Sequence, residues 1–465
     1  MDRAFEARKA ELESECKIEP GMFEGVRQRI VEFMKPYLEC FARYKQAEHA
    51  TTIVSGLCSD LQRKNAESIA YHFGQERKPI QHFLGESNWD DEPLREVMVD
   101  QIAEQLGSDD GVLIFDPSAF PKSGKESVGV KRQWCGRLGK VDNCQVGVYM
   151  AYASEKGHAL VDCDLYLPAE WIADKKRMQK AGVPKHKQKY RTRTTMCLEQ
   201  LKLHSKRLPH SWITGDDEMG QPAEFRRELR KLNEQYLLAV PKNTSVADLE
   251  IPPPSYNGFG RPPVRLSVQI AKWAAEQPDT SWDRIDVRDG EKGPLVIELL
   301  KGRVETSKRS RGGVAEEVCV VIRYRARDEA IVKQDYYLSN APYSTASSEF
   351  ARVAKAEHRI EECFDRGKGE AGMADYEVRG WIGWQHHQTL TMMASWYLNV
   401  ETQQSEKKSS RDHIQSSSSK HRIDPSRRAA MRFSPRRRSS NRTKTDTKST
   451  RTAVSLETTQ TTTTA

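Results

Sequence analysis

Apolar positions recur along this chain at two different periods, and the change from one to the other divides it. Up to about residue 105 they follow helical spacing, clearest in Met22-Phe-Glu-Gly-Val-Arg-Gln-Arg-Ile-Val-Glu-Phe-Met34. Asn65 to Leu84 predicts two short helices about a turn: Ile69, Ala70 and Phe73 precede Gly74, Ile80 and Phe83 follow, and Pro79 suits a first helical turn. That spacing fits a helix-turn-helix with Arg63, Lys64, Arg77, Lys78 and His82 as its polar contacts, or, more simply, a helical hairpin in a small bundle.

From Gly111 the runs become strand-like, at Gly111–Phe115, Val128–Trp134, Cys144–Ala153 and Ala159–Tyr166. A helix at Thr194–Leu203, a strand at Trp212–Thr214, a helix at Ala223–Leu232 and a strand at Tyr236–Pro241 follow. Three antiparallel-looking strands, a crossover helix and further strand–helix units predict an α/β fold with a ribonuclease-H-like core. Pro252-Pro-Pro-Ser and Arg261-Pro-Pro then mark loops, with strands expected at Leu295–Leu299, Val318–Tyr324 and Ala330–Leu338. Long helices are expected at Ser347–Arg366 and Gly383–Leu398. The organisation expected is a helical, DNA-binding region over 1–105, the first part of the core over 106–241, a mainly β insertion over 242–342, a helical completion of the core over 343–400 and a tail over 401–465.

Charge sharpens the last boundary. Residues 401–465 hold 15 Lys/Arg against 6 Asp/Glu and 25 Ser/Thr, with Phe433 as the sole aromatic, so too little apolar surface is present to offset chain entropy and a disordered basic tail is expected. Since the whole chain carries a formal +8, everything before the tail is close to neutral, and nucleic-acid affinity there needs local patches. One such patch runs from Asp174 to Arg193, where nine Lys/Arg face one Asp; it reads either as a solvated mobile loop or, with His186 and Tyr190 within it, as a phosphate-contacting surface. No apolar run approaches the roughly 20 residues that span a bilayer, and nine cysteines without a C-x-x-C pair suggest reduced thiols in the cytoplasm.

The candidate chemistry lies at strand ends. Asp116 closes Gly111-Val-Leu-Ile-Phe115, Asp216 closes Ser211-Trp-Ile-Thr-Gly215, and Glu361 lies in the later helical stretch. Two strand-end aspartates and a helical glutamate are the donor set that a two-metal phosphoryl-transfer site requires. Asp217 and Glu362 stand beside two of these acids as alternatives, and a helical Glu-Glu pair is ordinarily a solvated face. His386-His387 could suggest a metal centre, but neighbours on a helix point about 100° apart, which favours a packing or DNA-facing role.

The runs Phe115-Asp-Pro-Ser-Ala-Phe-Pro-Lys-Ser-Gly124 and Ser127-Val-Gly-Val-Lys-Arg-Gln-Trp-Cys-Gly-Arg-Leu-Gly-Lys-Val-Asp-Asn-Cys-Gln-Val-Gly147, with Gly215-Asp-Asp-Glu-Met-Gly220, Ala356-Glu-His-Arg-Ile-Glu-Glu-Cys-Phe364 and Trp384-Gln-His-His387, resemble the DDE transposases of bacterial insertion sequences, most closely the subgroup of insertion sequence seven-oh-one. The resemblance spans about residues 10–400. It implies a catalytic triad of Asp116, Asp216 and Glu361 holding two Mg²⁺ ions, with Mn²⁺ able to substitute, and Asp116 bridging them. Lys368, seven positions after Glu361 and so nearly on the same helical face, would touch the scissile phosphate; Lys122 is a second candidate. DNA contacts are expected from Arg77, Lys78, Lys122, Lys131, Arg132, Lys187 and Lys189.

The implied substrates are double-stranded terminal inverted repeats and target DNA, handled by a homodimer in the bacterial cytoplasm at the nucleoid. A related signature places Tyr and Arg where this chain has Ala354 and Glu357, so hairpin formation and its base handling are not implied. The tail departs from relatives, as a frameshift would produce; a basic arm binding phosphates is the other reading. A catalytically silent DNA-binding copy is the alternative function, and a cellular nuclease of the same fold a third.

Overall fold

A computed structural model describes residues 25–419 except 261–262, 291–292, 307–315 and 326–329; 286–296 and 405–419 are described by backbone alone. Five helices come first: α1 (Val26–Leu38), α2 (Tyr44–Leu57), α3 (Ala66–His72), α4 (Arg77–Gly85) and α5 (Glu92–Leu106). The turn between α3 and α4 matches the expected hairpin. Asn65 caps α3 by accepting from the Ser68 amide at 2.8 Å, and Ile69, Ala70, Ile80, Phe83 and Leu84 turn inward. In α5 the buried positions Leu94, Met98, Val99, Ile102 and Leu106 form one stripe at helical spacing.

A single mixed sheet of twelve strands follows. Its first half comprises β1 (Val112–Pro121), β2 (Lys131–Cys135), β3 (Lys140–Ser154), β4 (Gly157–Leu165), β5 (Trp212–Gly215) and β6 (Tyr236–Ala239). β3 runs antiparallel to β1, β2 and β4, while β1, β5 and β6 are mutually parallel neighbours in that order. The short helices α6 (Ala169–Ala173) and α7 (Lys175–Lys180), then α8 (Arg193–His204), cross between β4 and β5; α9 (Asp217–Gly220) and α10 (Ala223–Lys231) join β5 to β6.

The segment after β6 extends the same sheet. It adds β7 (Ser245–Asp248), β8 (Val268–Gln269), α11 (Ile270–Ala275), β9 (Trp282–Gly290), β10 (Gly293–Thr306), β11 (Glu317–Arg325) and β12 (Ile331–Ser339). β12 pairs antiparallel with β6, Leu338 opposite Leu238, so the backbone ladder is continuous from one half to the other. A buried charge cluster also joins them. The Arg226 Nε of α10 donates to Glu317 of β11 at 2.9 Å, and Glu317 further accepts from Tyr236 at 2.6 Å and Thr306 at 3.3 Å.

Helix α12 (Ser347–Gly369) lies across β1, β3, β4 and β5, burying Phe350, Val353, Ala354, Ile360, Cys363, Phe364 and Gly367. The last helix, α13 (Trp381–Ser419), is buried along most of its first five turns. Both histidines there are interior, which decides between packing and a DNA-facing role. His386 stacks on Trp89 at 3.5 Å and its ring nitrogens meet the carbonyls of Leu84 and Trp89, while His387 Nε2 donates to the Gly372 carbonyl at 3.1 Å.

The described residues up to Lys407 form one compact unit, and from 408 the chain is described only as helical backbone to Ser419. Helix thus continues over 401–419, where irregular chain was expected; the rest of the tail, like residues 1–24, lies outside the described residues. The eight cysteines among the described residues are all free thiols, and no described helix is long and apolar enough to cross a membrane.

Candidate active site

Strand register brings the first two acids together. β1 and β5 are adjacent and parallel, with Phe115 opposite Gly215, so Asp116 and Asp216 each stand one residue past that pair, side by side where the parallel pairing ends; Asp216 follows the end of β5, whereas Asp116, expected at a strand end, lies within β1, which continues along β3 to Pro121. Gly215 allows this approach, because a Cβ there would sit 2.8 Å from the Phe115 carbonyl oxygen. Asp216 also caps α9, accepting from the Met219 amide at 3.2 Å. Across from them, α12 carries Glu361 and Lys368. A cavity of about 470 Å³ is lined by all four, together with Trp134, Arg137, Arg193, Glu218, Phe364 and Asp365.

The surroundings of Asp216/Asp217 and Glu361/Glu362 distinguish the member of each pair that lines the cavity. Asp217 is exposed and lines no part of this cavity, and Glu362 instead pairs with Arg359 at 2.7 Å and His158 at 3.3 Å. Glu361 reaches the cavity from a largely exposed position, its carboxylate 3.4 Å from His358 Nδ1. Among the described residues, no three His, Cys, Asp or Glu side chains converge closely enough, as they stand, to ligate one ion.

The electrostatics are those of crowded carboxylates. Burial, and then repulsion from Asp216, Glu361 and Glu357, holds the Asp116 carboxyl well above the usual range, with Lys368 opposing. Burial, followed by Glu218, pushes Asp216 up to about 7. Glu357, one helical turn before Glu361, is pushed up to about 8 by burial and by Asp216. Among the described residues neither Asp116 nor Asp216 has a Lys or Arg within ion-pair distance, whereas Glu218 is held by Arg193 at 2.6 and 2.8 Å. Burial and the Arg137 charge depress the Lys368 ammonium, which sits 5.2 Å from the Phe364 ring centroid.

Several of the other expected DNA contacts are occupied within the protein. Lys122 does not line the cavity. It sits 3.4 Å from the Tyr376 ring centroid and donates to the Tyr376 carbonyl, and burial lowers it to about 8. In the basic run, Arg191 is buried between Asp164 and Glu199 at 2.7 Å each, Lys187 reaches Asp164 at 3.0 Å, and Lys189 lies 3.9 Å from Glu199. The inner half of the run is therefore largely neutralised, while Lys175, Lys176 and Lys185 are exposed and form no ion pair among the described residues.

Lys131 pairs with Glu170 at 2.5 Å and Arg77 with Glu67 at 2.7 Å, while Arg132 and Lys78 are exposed. Lys64 is buried, its ammonium donating to the Leu57 and Glu370 carbonyls, which removes it from the hairpin's outer face. Sequence reasoning placed none of Arg137, Arg193, Glu218 and Glu357 at the site, although Arg193 ends the basic run and Glu357 stands one helical turn before Glu361.

The profile of the family described as DDE superfamily endonuclease matches residues 36–294. The chain belongs to that family. This DDE family match includes Asp116 and Asp216 and stops before Glu361 and Lys368. The chain is also 30% identical over 247 residues to a protein of Microchaete diplosiphon named "Probable transposase for insertion sequence element IS701", covering 52% of this chain and 58% of that relative. It therefore spans little more than half the length of the curated relative.

Proposed function

We propose that this DDE-family chain is a DNA transposase with a ribonuclease-H-like core, which cleaves insertion-sequence ends and joins them to target DNA. The observation that carries this reading is the convergence of Asp116, Asp216, Glu361 and Lys368 on one cavity at the carboxyl edge of the parallel strands. The strand order β4-β3-β1-β5-β6, with β3 antiparallel and β5 and β6 parallel to β1, supports the core assignment.

The donor set fits two divalent cations, Mg²⁺ first with Mn²⁺ able to replace it, because Asp116 and Asp216 present hard oxygens crowded together without a basic partner. Asp116, Asp216 and Glu361 would hold the ions, and Glu361, now 3.4 Å from His358 Nδ1, would have to leave that neighbour to do so. Bound there, the ions lower the charge cost of in-line attack on a phosphodiester. Lys368 would receive a non-bridging oxygen of the scissile phosphate, and the Arg193–Glu218 pair would hold the α9 end of the site in place. The substrates are the element's terminal inverted repeats and a target duplex, with two copies of the chain bringing two ends together at the nucleoid.

The test is cleavage of a labelled duplex carrying the element's own end, with Mg²⁺ or Mn²⁺, by wild type and by Asp116→Asn, Asp216→Asn and Glu361→Gln. Metal-dependent nicking at the end that each substitution abolishes is expected. End binding without nicking by wild type would instead make the chain a silent DNA binder.

A further inference from the structure

A second cavity, of about 760 Å³, shares no lining residue with the carboxylate site. It opens between the start of α5, the end of β4, the middle of α8 and the first turns of α13. Six carboxylates line it, those of Asp90, Asp91, Glu92, Asp162, Asp164 and Glu199, against the cations of Arg95 and Lys187. The more buried acids are partnered: Asp91 and Asp162 lie 3.3 and 3.4 Å from Arg95, and Asp164 meets Lys187 and Arg191. Asp90 and Glu92 are exposed and form no ion pair among the described residues.

Acid alone does not make a site, but the wall carries a second feature. Gln200 and Gln385 line the cavity at 4% and 8% exposure, and the side-chain oxygen of each is buried without a hydrogen-bond donor among the described residues. Neither amide can be turned round to mend this. Gln200 Nε2 donates to the Val148 carbonyl at 3.1 Å and Gln385 Nε2 to Asp164 at 3.4 Å, so a turned amide would set oxygen against oxygen. A buried acceptor left unmet costs free energy, and here two of them await donors.

These facts select the chemistry of a ligand. An anion would enter a cavity already rich in negative charge. A single metal ion finds no three His, Cys, Asp or Glu side chains converging on it among the described residues. An extended cation fits both the charge and the unmet oxygens, because each of its ammonium groups brings several N–H donors. Leu203, Ile382 and Met196 offer apolar surface for the carbon chain between those groups.

We propose that this cavity is a binding site for an aliphatic polyamine, one ammonium group donating to Gln200 and Gln385 and another held by Asp90 and Glu92. The inference goes beyond the proposed DNA cleavage and does not depend on it. The test is calorimetric titration of the full-length protein, free of DNA, with spermidine. Wild type is compared with Gln200→Leu, Gln385→Leu, Asp90→Asn/Glu92→Gln and Asp116→Asn/Asp216→Asn, with and without excess Mg²⁺.

One spermidine per chain is expected, and 1,4-butanediol, an uncharged chain of similar spacing, should not bind. Gln200→Leu and Gln385→Leu should each weaken spermidine by about tenfold or more, the worth of a hydrogen bond to a charged group. Asp90→Asn/Glu92→Gln should weaken it by about fivefold, as loss of two exposed charge contacts does. Those two residues are exposed, so misfolding does not account for their effect. The Asp116→Asn/Asp216→Asn protein should bind as wild type does, and Mg²⁺ should displace little of the amine. No saturable binding by wild type would overturn the proposal, as would equal affinity in wild type, both glutamine variants and the surface variant. Displacement by Mg²⁺, or loss confined to Asp116→Asn/Asp216→Asn, would overturn it by placing the amine among the catalytic carboxylates.

Discussion

Replacing Glu317 by Ala should be the most destabilising single change in the sheet. Its carboxylate is fully buried and accepts from Arg226 Nε at 2.9 Å, Tyr236 Oη at 2.6 Å and Thr306 Oγ1 at 3.3 Å. Alanine removes the counter-charge and leaves the buried Arg226 guanidinium with only the Gly220 and Gln221 carbonyls. Breaking a buried pair in this way costs about 3–5 kcal/mol. Glu317→Gln keeps the shape and one acceptor and should cost about 1.5–3 kcal/mol, the worth of hydrogen bonds to a charged group. The double variant Arg226→Met/Glu317→Leu should recover most of the loss, because no uncompensated charge remains.

The assay is urea unfolding followed by far-UV circular dichroism, with midpoints compared at constant slope. A cost below about 1 kcal/mol for Glu317→Ala, the range of an exposed ion pair, would refute the reasoning. A double variant no better than the single one would refute it too, since the loss would then come from packing and not from the stranded charge. The same cluster follows directly on α9, so Glu317→Gln should also reduce end nicking more than end binding.

Other outcomes are expected elsewhere. Mg²⁺ should raise the melting temperature of wild type and EDTA reverse it, with little effect on an Asp116→Asn/Asp216→Asn protein; an equal shift in both would place the ion elsewhere. Lys368→Ala should slow nicking by about a hundredfold or more while sparing end binding, and Lys368→Arg should restore part of it, as single-turnover rates would show. His387 is buried and burial lowers it from 6.5 to about 4, so between those pH values the unfolded chain binds the extra proton. Stability should thus be flat above neutrality and decline as pH falls through that window, by up to about 3 kcal/mol. Urea midpoints for His387→Gln should decline less; an identical decline would exclude His387 as the cause.

The two aspartates were legible because each follows a continuous apolar run, but only Asp216 stands at a strand end, since β1 runs on past Asp116 to Pro121 in its pairing with β3. Their side-by-side placement was not, since it depends on a parallel register and on Gly215 accepting a carbonyl at close range. Charge misled wherever its partner lay far along the chain. The run at 174–193 looks basic in isolation, yet Asp164 and Glu199 neutralise its inner half, and Lys122 is taken up by Tyr376. Exposure was equally hidden: Trp134 continues a strand pattern as a buried tryptophan would, yet stands exposed on the β2–β3 hairpin.

The first helices meet the last ones in space. Arg29 of α1 bonds Glu401 at 2.9 Å, the Trp89 and Leu84 carbonyls hold His386, Gln101 accepts from Trp396 at 3.1 Å, and Lys64 grips the end of α12 at Glu370. On the ribosome, then, the N-terminal helices emerge long before the surface that covers their apolar side has been translated. A message cut short ahead of residue 381 would release those helices without their lid, a substrate for chaperones and proteases. Copies truncated ahead of residue 381 should accumulate poorly as protein.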